Sequence, residues 1–144
     1  KESVDTIHKR LGHIMWEHVG MARNEAGLKE GIELIRELKK DFWSNVYVAG
    51  EQGTFNQELE KALRLADFLE IGELMAIDAL DRCESCGGHF REEMQTEDGE
   101  TKRDDEHYMY VAAWEYKGDG VEPELHKEPL KYVNIHIATR NYKD

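Results

Sequence analysis

Two cysteines among 144 residues are too few for a secreted disulfide scaffold, which points to a reducing setting. No run approaches the roughly 18 apolar residues that a membrane-spanning helix needs. Basic charge is short as well: 19 Lys and Arg stand against 31 Asp and Glu, for a net charge of -12. Phosphate binding draws most of its affinity from clustered Lys and Arg, so the missing basic stripe argues against nucleic acid as a partner. Both prolines come late, and no signal peptide, internal repeat or low-complexity tract is visible in these residues. The chain opens at Lys1, without Met and inside a helical pattern, so it is expected to be a piece of something longer. What is present is one domain's worth of sequence, 35% charged, with an α+β domain as the starting expectation.

The first half is helical by period. Val4, Ile7, Leu11, Ile14, Met15 and Ala22 fall on one stripe at spacings of three and four, and predict an amphipathic helix over 4–22. His18 shares that stripe and reads as a satisfied core or interface histidine. His13 and His18 are five apart, which misses the four-residue spacing that puts two zinc ligands on one face. Trp16 projects away from the stripe, either as a lone exposed aromatic or as an anchor for another domain. A second stripe of Leu28, Ile32, Ile35, Leu38 and Phe42 predicts a helix over 25–43 with Asn24 as N-cap. Residues 44–53 read as a loop. Thr54 and Gln57 have the spacing of a capping box ahead of a third helix through Leu59, Ala62, Leu63, Ala66 and Leu69. At Gly72 the phase changes. Met75, Ala76, Ala79, Leu80 and Cys83 then share a face, as a fourth helix or a kinked continuation that Gly87 and Gly88 should stop. The expectation is an antiparallel bundle of three or four helices.

Residues 82–105 join this half to the next and hold both cysteines. Cys83-Glu84-Ser85-Cys86 is a CxxC, but it closes a helix, where the negative end of the dipole disfavours thiolate, so a redox role is disfavoured. Cys83, Cys86 and His89 are zinc-ligand types at close spacing, with His107 as a conceivable fourth. Against zinc stand the lack of a second CxxC and the place of Cys83 on an apolar face, which favour a small buried cysteine and a second thiol near the cap. Gly87 after Cys86 breaks the haem-attachment pattern. Glu92, Glu93, Glu97, Asp98 and Glu100 lack the alternation of a calcium loop, and Asp98-Gly99 reads as a tight turn. Asp104 and Asp105 resemble an acid–base pair less than solvated carboxylates beside Arg103.

Beyond the junction, 107–116 is rich in aromatic and β-branched residues and predicts a strand ended by Gly118-Asp119-Gly120. A second extended piece is expected at 124–126 and a third at 132–137, where Tyr132, Asn134 and His136 alternate with Val133, Ile135 and Ile137. Residues 139–144 read as a tail. The fold class is thus mainly α, a helical bundle over 1–90. A loop and a small antiparallel β extension over 91–144 pack on it, within one domain overall.

Three blocks, LGHIMWEHVGMARNEAGL (Leu11 to Leu28), FNQELEKAL (Phe55 to Leu63) and ESCGGHFREE (Glu84 to Glu93) followed by KRDDE (Lys102 to Glu106), resemble the C-terminal region of succinate dehydrogenase and fumarate reductase flavoprotein subunits. The likeness runs in order along nearly the whole chain. In that family the third block commonly reads E-S-R-G-A-H-x-R. Glu84, Ser85, Gly87, His89 and Arg91 match it, while Cys86 stands at the usual arginine and Gly88 at the usual alanine, which dissolves the CxxC as a motif. The resemblance implies a helical domain that closes a flavoprotein, with the FAD-binding domain and the capping domain that carries the catalytic arginine before Lys1. No GxGxxG opens a helix in this chain, so FAD is expected in the parent protein and no cofactor, metal or catalytic residue in this piece. The parent would interconvert succinate and fumarate by hydride transfer through FAD, and this piece alone would be inactive.

The implied partners are the flavin-binding and capping domains, an iron-sulfur subunit and a membrane anchor, on the cytoplasmic face of the inner membrane. Trp16, His89 and Arg91 are the interface candidates. Two alternatives stay open: the similar C-terminal domain of L-aspartate oxidase, and a free-standing interaction module, zinc-bound or not.

Overall fold

The computed structural model describes residues 1–51 and 53–139. In chain order the elements are β1 (Glu2–Ser3), α1 (Val4–Val19), β2 (Ala22–Arg23), α2 (Glu25–Asn45), β3 (Val46–Tyr47), α3 (Gln57–Asp81), β4 (Phe90–Arg91), α4 (Asp105–Tyr108), β5 (Tyr110–Glu115) and β6 (Glu124–Pro129). The three long helices contact one another pairwise and form an antiparallel bundle with a small β appendage.

The stripes meet as their periods require. Val4, Ile7 and Leu11 of α1, Ile35, Leu38 and Phe42 of α2, and Ala62, Leu65 and Leu69 of α3 make one apolar cluster. Val19, Leu28, Ile32, Ala76 and Ala79 make a second, nearer the junction. The Ser3 hydroxyl caps α1 by accepting from the Thr6 amide at 3.2 Å, and Asn24 caps α2 as expected, accepting from the Gly27 amide at 2.7 Å. Gly20 is the C-cap of α1, where a Cβ would lie 2.4 Å from the Trp16 carbonyl oxygen, so the cap needs glycine. The helix stops at Val19 rather than Ala22, and Ala22 passes into β2.

Five expectations are corrected. The third and fourth helices are one continuous 25-residue α3. Gly72 is a crossing point and not a break: a Cβ there would sit 3.2 Å from the Met15 sulfur, so its smallness lets α1 approach α3. The cap of α3 is Asn56, whose side chain accepts from the Glu58 and Leu59 amides, while Thr54 lies outside. The helix ends at Asp81 with Arg82 as its cap, well before Gly87 and Gly88, which instead form the turn between Cys86 and His89. Residues 107–108 are helical, in α4, because the Asp104 side chain accepts from the His107 amide and starts a turn there. Among the described residues, 132–137 form no strand, and Val133 and Ile135 are exposed. The expected tail lies outside the described residues beyond residue 139.

The β elements do different work. β5 and β6 are an antiparallel hairpin that Trp114 ties to α3 by donating from its indole to Asp78 at 2.8 Å. The other two pairings are short and parallel, a class the sequence pattern does not signal. β1 pairs with β3, and β2 pairs with β4, which straps the junction to the α1–α2 connection.

Candidate functional site

At the end of the bundle where α1 and α3 finish, three arginines cluster, and two of them, Arg23 and Arg91, donate to carbonyls at the helix ends. Carbonyls in a helix's last turn have no intrahelical partner and carry the negative end of the dipole, so a guanidinium there satisfies both needs. Arg23 donates from Nε to the carbonyls of Val19 and Gly20, closing α1. Arg91 does the same for α3, donating from Nη1 to the carbonyls of Ala79 at 3.0 Å and Leu80 at 3.1 Å, and from Nε to Glu93. It is 2% exposed. Arg82 lies over the Tyr110 ring at 4.9 Å and donates to Glu84 and to the carbonyls of Tyr108 and Tyr110.

His89 joins two of these clamps. Arginine can only donate, so the 2.7 Å contact from Arg23 Nη1 makes His89 Nδ1 an acceptor, and Nε2–H then donates to the Arg82 carbonyl at 2.8 Å. The ring is a neutral Nε2–H tautomer. Burial pushes its pKa below the ordinary value, the bond to the Arg82 carbonyl opposes that, and the charges of Arg23, Arg91 and Arg82 add to the lowering. Burial likewise lowers Arg23. Ser85, buried, accepts from the Arg91 amide at 2.9 Å and donates to the Arg91 carbonyl. Buried Glu84 takes both Arg82 and the Asp104 amide. Gly87, at φ +59°, supplies the left-handed residue of the turn between Cys86 and His89.

The residues singled out from the sequence separate here. Trp16 is 80% exposed, as its position off the stripe implies. His89 is half-buried with both nitrogens engaged, and Arg91 is committed to its own chain, so its hydrogen bonds do not wait for a neighbour. Cys83, Cys86 and His89 do not converge as ligands: among the described residues the one group with metal-ligating atoms close together is Glu115, Glu124 and His126, on the exposed hairpin. That group already holds Lys117 between its carboxylates. His107 pairs with Asp104 at 2.9 Å, and Asp105 with Arg103, the partner expected from the sequence. The Asp98-Gly99 turn forms, with Gly99 at φ +78°. Next to this clasp of Arg23, Arg82, Arg91, Glu84, Ser85 and His89 lies an open cleft of about 780 Å³ lined by Cys83, Lys102, Asp104, His107 and Lys127 among others. Arg23 and Arg82 escaped sequence reading because the partners that tie them into the junction, His89 for Arg23 and the Tyr108 and Tyr110 carbonyls for Arg82, lie far along the chain; the one available signal was a basic residue just past a helix end.

A family model described as the fumarate reductase flavoprotein C-terminal region matches residues 8–142. The chain belongs to that family. Within it, this chain is similar to the fumarate reductase flavoprotein subunit of Haemophilus influenzae, 28% identical over 141 residues, which are 98% of this chain and 22% of that protein. Its fold is similar to a variant of E. coli quinol fumarate reductase FrdA, with TM-score 0.80, 25% identity and coverage of 96% of this chain and 23% of that one. It is also similar to Mycobacterium smegmatis Sdh1, with TM-score 0.73, 27% identity and coverage of 94% and 21%. The chain thus spans about a fifth of the length of these relatives. It is a C-terminal domain of the fumarate reductase and succinate dehydrogenase flavoprotein type, and the likeness gives no support to L-aspartate oxidase or to a free-standing module. The flavoproteins of this family depend on FAD. No described helix is long and apolar enough to cross a membrane.

Proposed function

We propose that this chain is the non-reacting C-terminal part of an FAD-dependent succinate–fumarate oxidoreductase, and that it braces the flavin-binding and capping parts. The observation that carries this is the clasp itself. Every family-matching side chain in it, Glu84, Ser85, His89 and Arg91, is bonded within the chain, so these groups set the shape of a surface and are not presented to a substrate. Of the interface candidates, Trp16 has its side chain open to a neighbour, while His89 and Arg91 hold the backbone behind it. The loop and β extension after residue 90 pack on the bundle within one domain, strapped by β2–β4 and by Trp114. In the parent complex the further partners would be an iron-sulfur subunit and a membrane anchor, with the flavoprotein peripheral on the cytoplasmic face of the inner membrane.

The chain alone should bind no FAD and reduce no fumarate, whereas the complete flavoprotein should hold flavin and interconvert fumarate and succinate. Flavin absorbance and fumarate-dependent oxidation of a reduced dye measure both. A yellow preparation of the 144-residue chain with stoichiometric flavin would overturn the assignment.

A further inference from the structure

The three long helices differ in how far around their circumference the apolar residues run. α1 and α2 each expose one large apolar side chain, Trp16 and Trp43, whereas α3 exposes Leu59, Leu63, Phe68, Ile71 and Met75. A helix that is apolar around most of its surface is one that is covered on more than one side. The core covers the stripe through Ala62, Leu65, Leu69, Ala76 and Ala79 and leaves both flanks open.

One flank is shaped to receive something. Phe68, Ile71, Gly72 and Met75 of α3 and Gly12 and Met15 of α1 line an apolar groove of about 240 Å³ between the two helices. Gly12 is the independent observation. A glycine inside a helix costs about 1 kcal/mol relative to alanine, so it needs a reason. Gly31 has one, since a Cβ would sit 2.8 Å from His18 Cβ, and so has Gly72 against Met15. A Cβ on Gly12 would meet nothing within 4 Å, so no neighbour in the described chain accounts for the glycine. Something outside the chain does if it approaches the α1 backbone at the groove.

The groove's size selects among occupants. A stable interface between separate proteins takes in roughly 20–30 residues a side, whereas eight residues line this groove. A covalently joined neighbour, by contrast, is held at an effective concentration near millimolar and needs only a small complementary contact. Most of each similar flavoprotein subunit lies outside the stretch that this chain matches.

We propose that the α1–α3 groove receives an aliphatic or aromatic side chain from the flavin-binding part of the parent polypeptide, seated against Gly12 with Trp16 at the groove's edge. This rests on the functional reading above. Hydroxyl-radical footprinting of the complete flavoprotein, without its other subunits, tests it. Phe68 and Met75 should label at least tenfold more slowly than exposed Met21, after correction for intrinsic reactivity. Gly12→Leu, whose added Cβ meets nothing within 4 Å among the described residues, should restore their labelling and lower the flavoprotein's Tm by several degrees at unchanged helix content. Leu63→Ser, on the opposite flank, should leave the labelling of Phe68 and Met75 as it was.

A flavin-loaded protein whose Met75 labels as fast as Met21 overturns the groove assignment and leaves the functional reading standing. Protection that appears only with an iron-sulfur subunit added, or only at high concentration, overturns it in favour of a separate subunit or a second copy. A complete polypeptide that holds no flavin defeats the functional reading, and its colourless spectrum identifies that case whatever the labelling.

Discussion

Up to Asp81 the molecule is held by apolar burial, and beyond it by polar burial. Apart from Tyr110, every buried large or small apolar side chain among the described residues lies in the three long helices, and the buried polar side chains, Glu84, Ser85 and Arg91, all lie after them. The two regions answer different physical demands. A helical bundle needs only matching stripes, since burial is non-directional and scales with area. The junction must end two helices and turn the chain sharply at one point, which requires partners for specific carbonyls. Guanidinium groups supply them, and among the described residues no buried side-chain nitrogen or oxygen lacks a partner.

That contrast predicts two large losses of different character. Leu65→Ala, at a site 1% exposed in the bundle, should cost about 2–5 kcal/mol, through lost burial plus a residual cavity, and should loosen all three helices together. Arg91→Ala should cost about 3 kcal/mol by leaving buried carbonyls of Ala79 and Leu80 without a donor. Its effect should be local. Amide exchange should rise first at β2, β4 and the last turn of α3, with the middle of α2 still protected. Uniform loss of protection in Arg91→Ala would mean that the junction and bundle unfold as a single unit, and the comparison between them would collapse.

The legibility of the two regions in sequence divides along the same line. The bundle stripes and the Asn24 cap are readable because helix period and capping are local, over three to seven residues. Gly72 misled because a phase change in the apolar pattern looks the same whether the helix breaks or merely meets a neighbour closely; only the position of Met15 distinguishes them. The alternation at 132–137 misled because alternation describes a face without supplying a partner strand. In the clasp, Arg23 meets His89 across 66 residues of chain, a distance over which periodicity carries no information. The resemblance marked Glu84, Ser85, His89 and Arg91 as a block, yet their roles emerged only from their partners.

A smaller effect follows from pH. The folded His89 pKa lies below the ordinary 6.5, so between the two values the unfolded chain binds more protons. Stability from the neutral ring is therefore complete above about pH 6.5 and is lost as pH falls through that value toward the folded pKa, at a slope no steeper than about 1.4 kcal/mol per pH unit. Glu73 behaves differently. Burial pushes its carboxyl up, but Lys39 and Arg36 outweigh that and hold it below 4.5, so its contribution is present above pH 4.5 and lost only below. Denaturant unfolding at pH 7.5 and 5.5 should show a loss that His89→Gln removes. A loss unchanged in His89→Gln would place the titrating group elsewhere.

The smallest expected effect is the sharpest test, because it compares adjacent residues. Ser85 matches the family block and Cys86 departs from it. Ser85 is 1% exposed and its hydroxyl bonds both the amide and the carbonyl of Arg91, whereas Cys86 is exposed and takes part in the turn through its backbone, exchanging amide and carbonyl with His89. A side chain outside the packed region, on a residue held by its main chain, can vary without disturbing the clasp. The usual arginine at that position would thus project outward, and so would the alanine usual at exposed Gly88. Cys86→Ser should change stability by no more than about 0.5 kcal/mol. Ser85→Ala should cost about 1–3 kcal/mol by stripping partners from buried Arg91 backbone groups. Chemical denaturation of the two variants side by side measures the difference. A Cys86→Ser loss as large as that of Ser85→Ala would show that the thiol is part of the clasp, and the division between pinned and free positions in the family block would no longer hold.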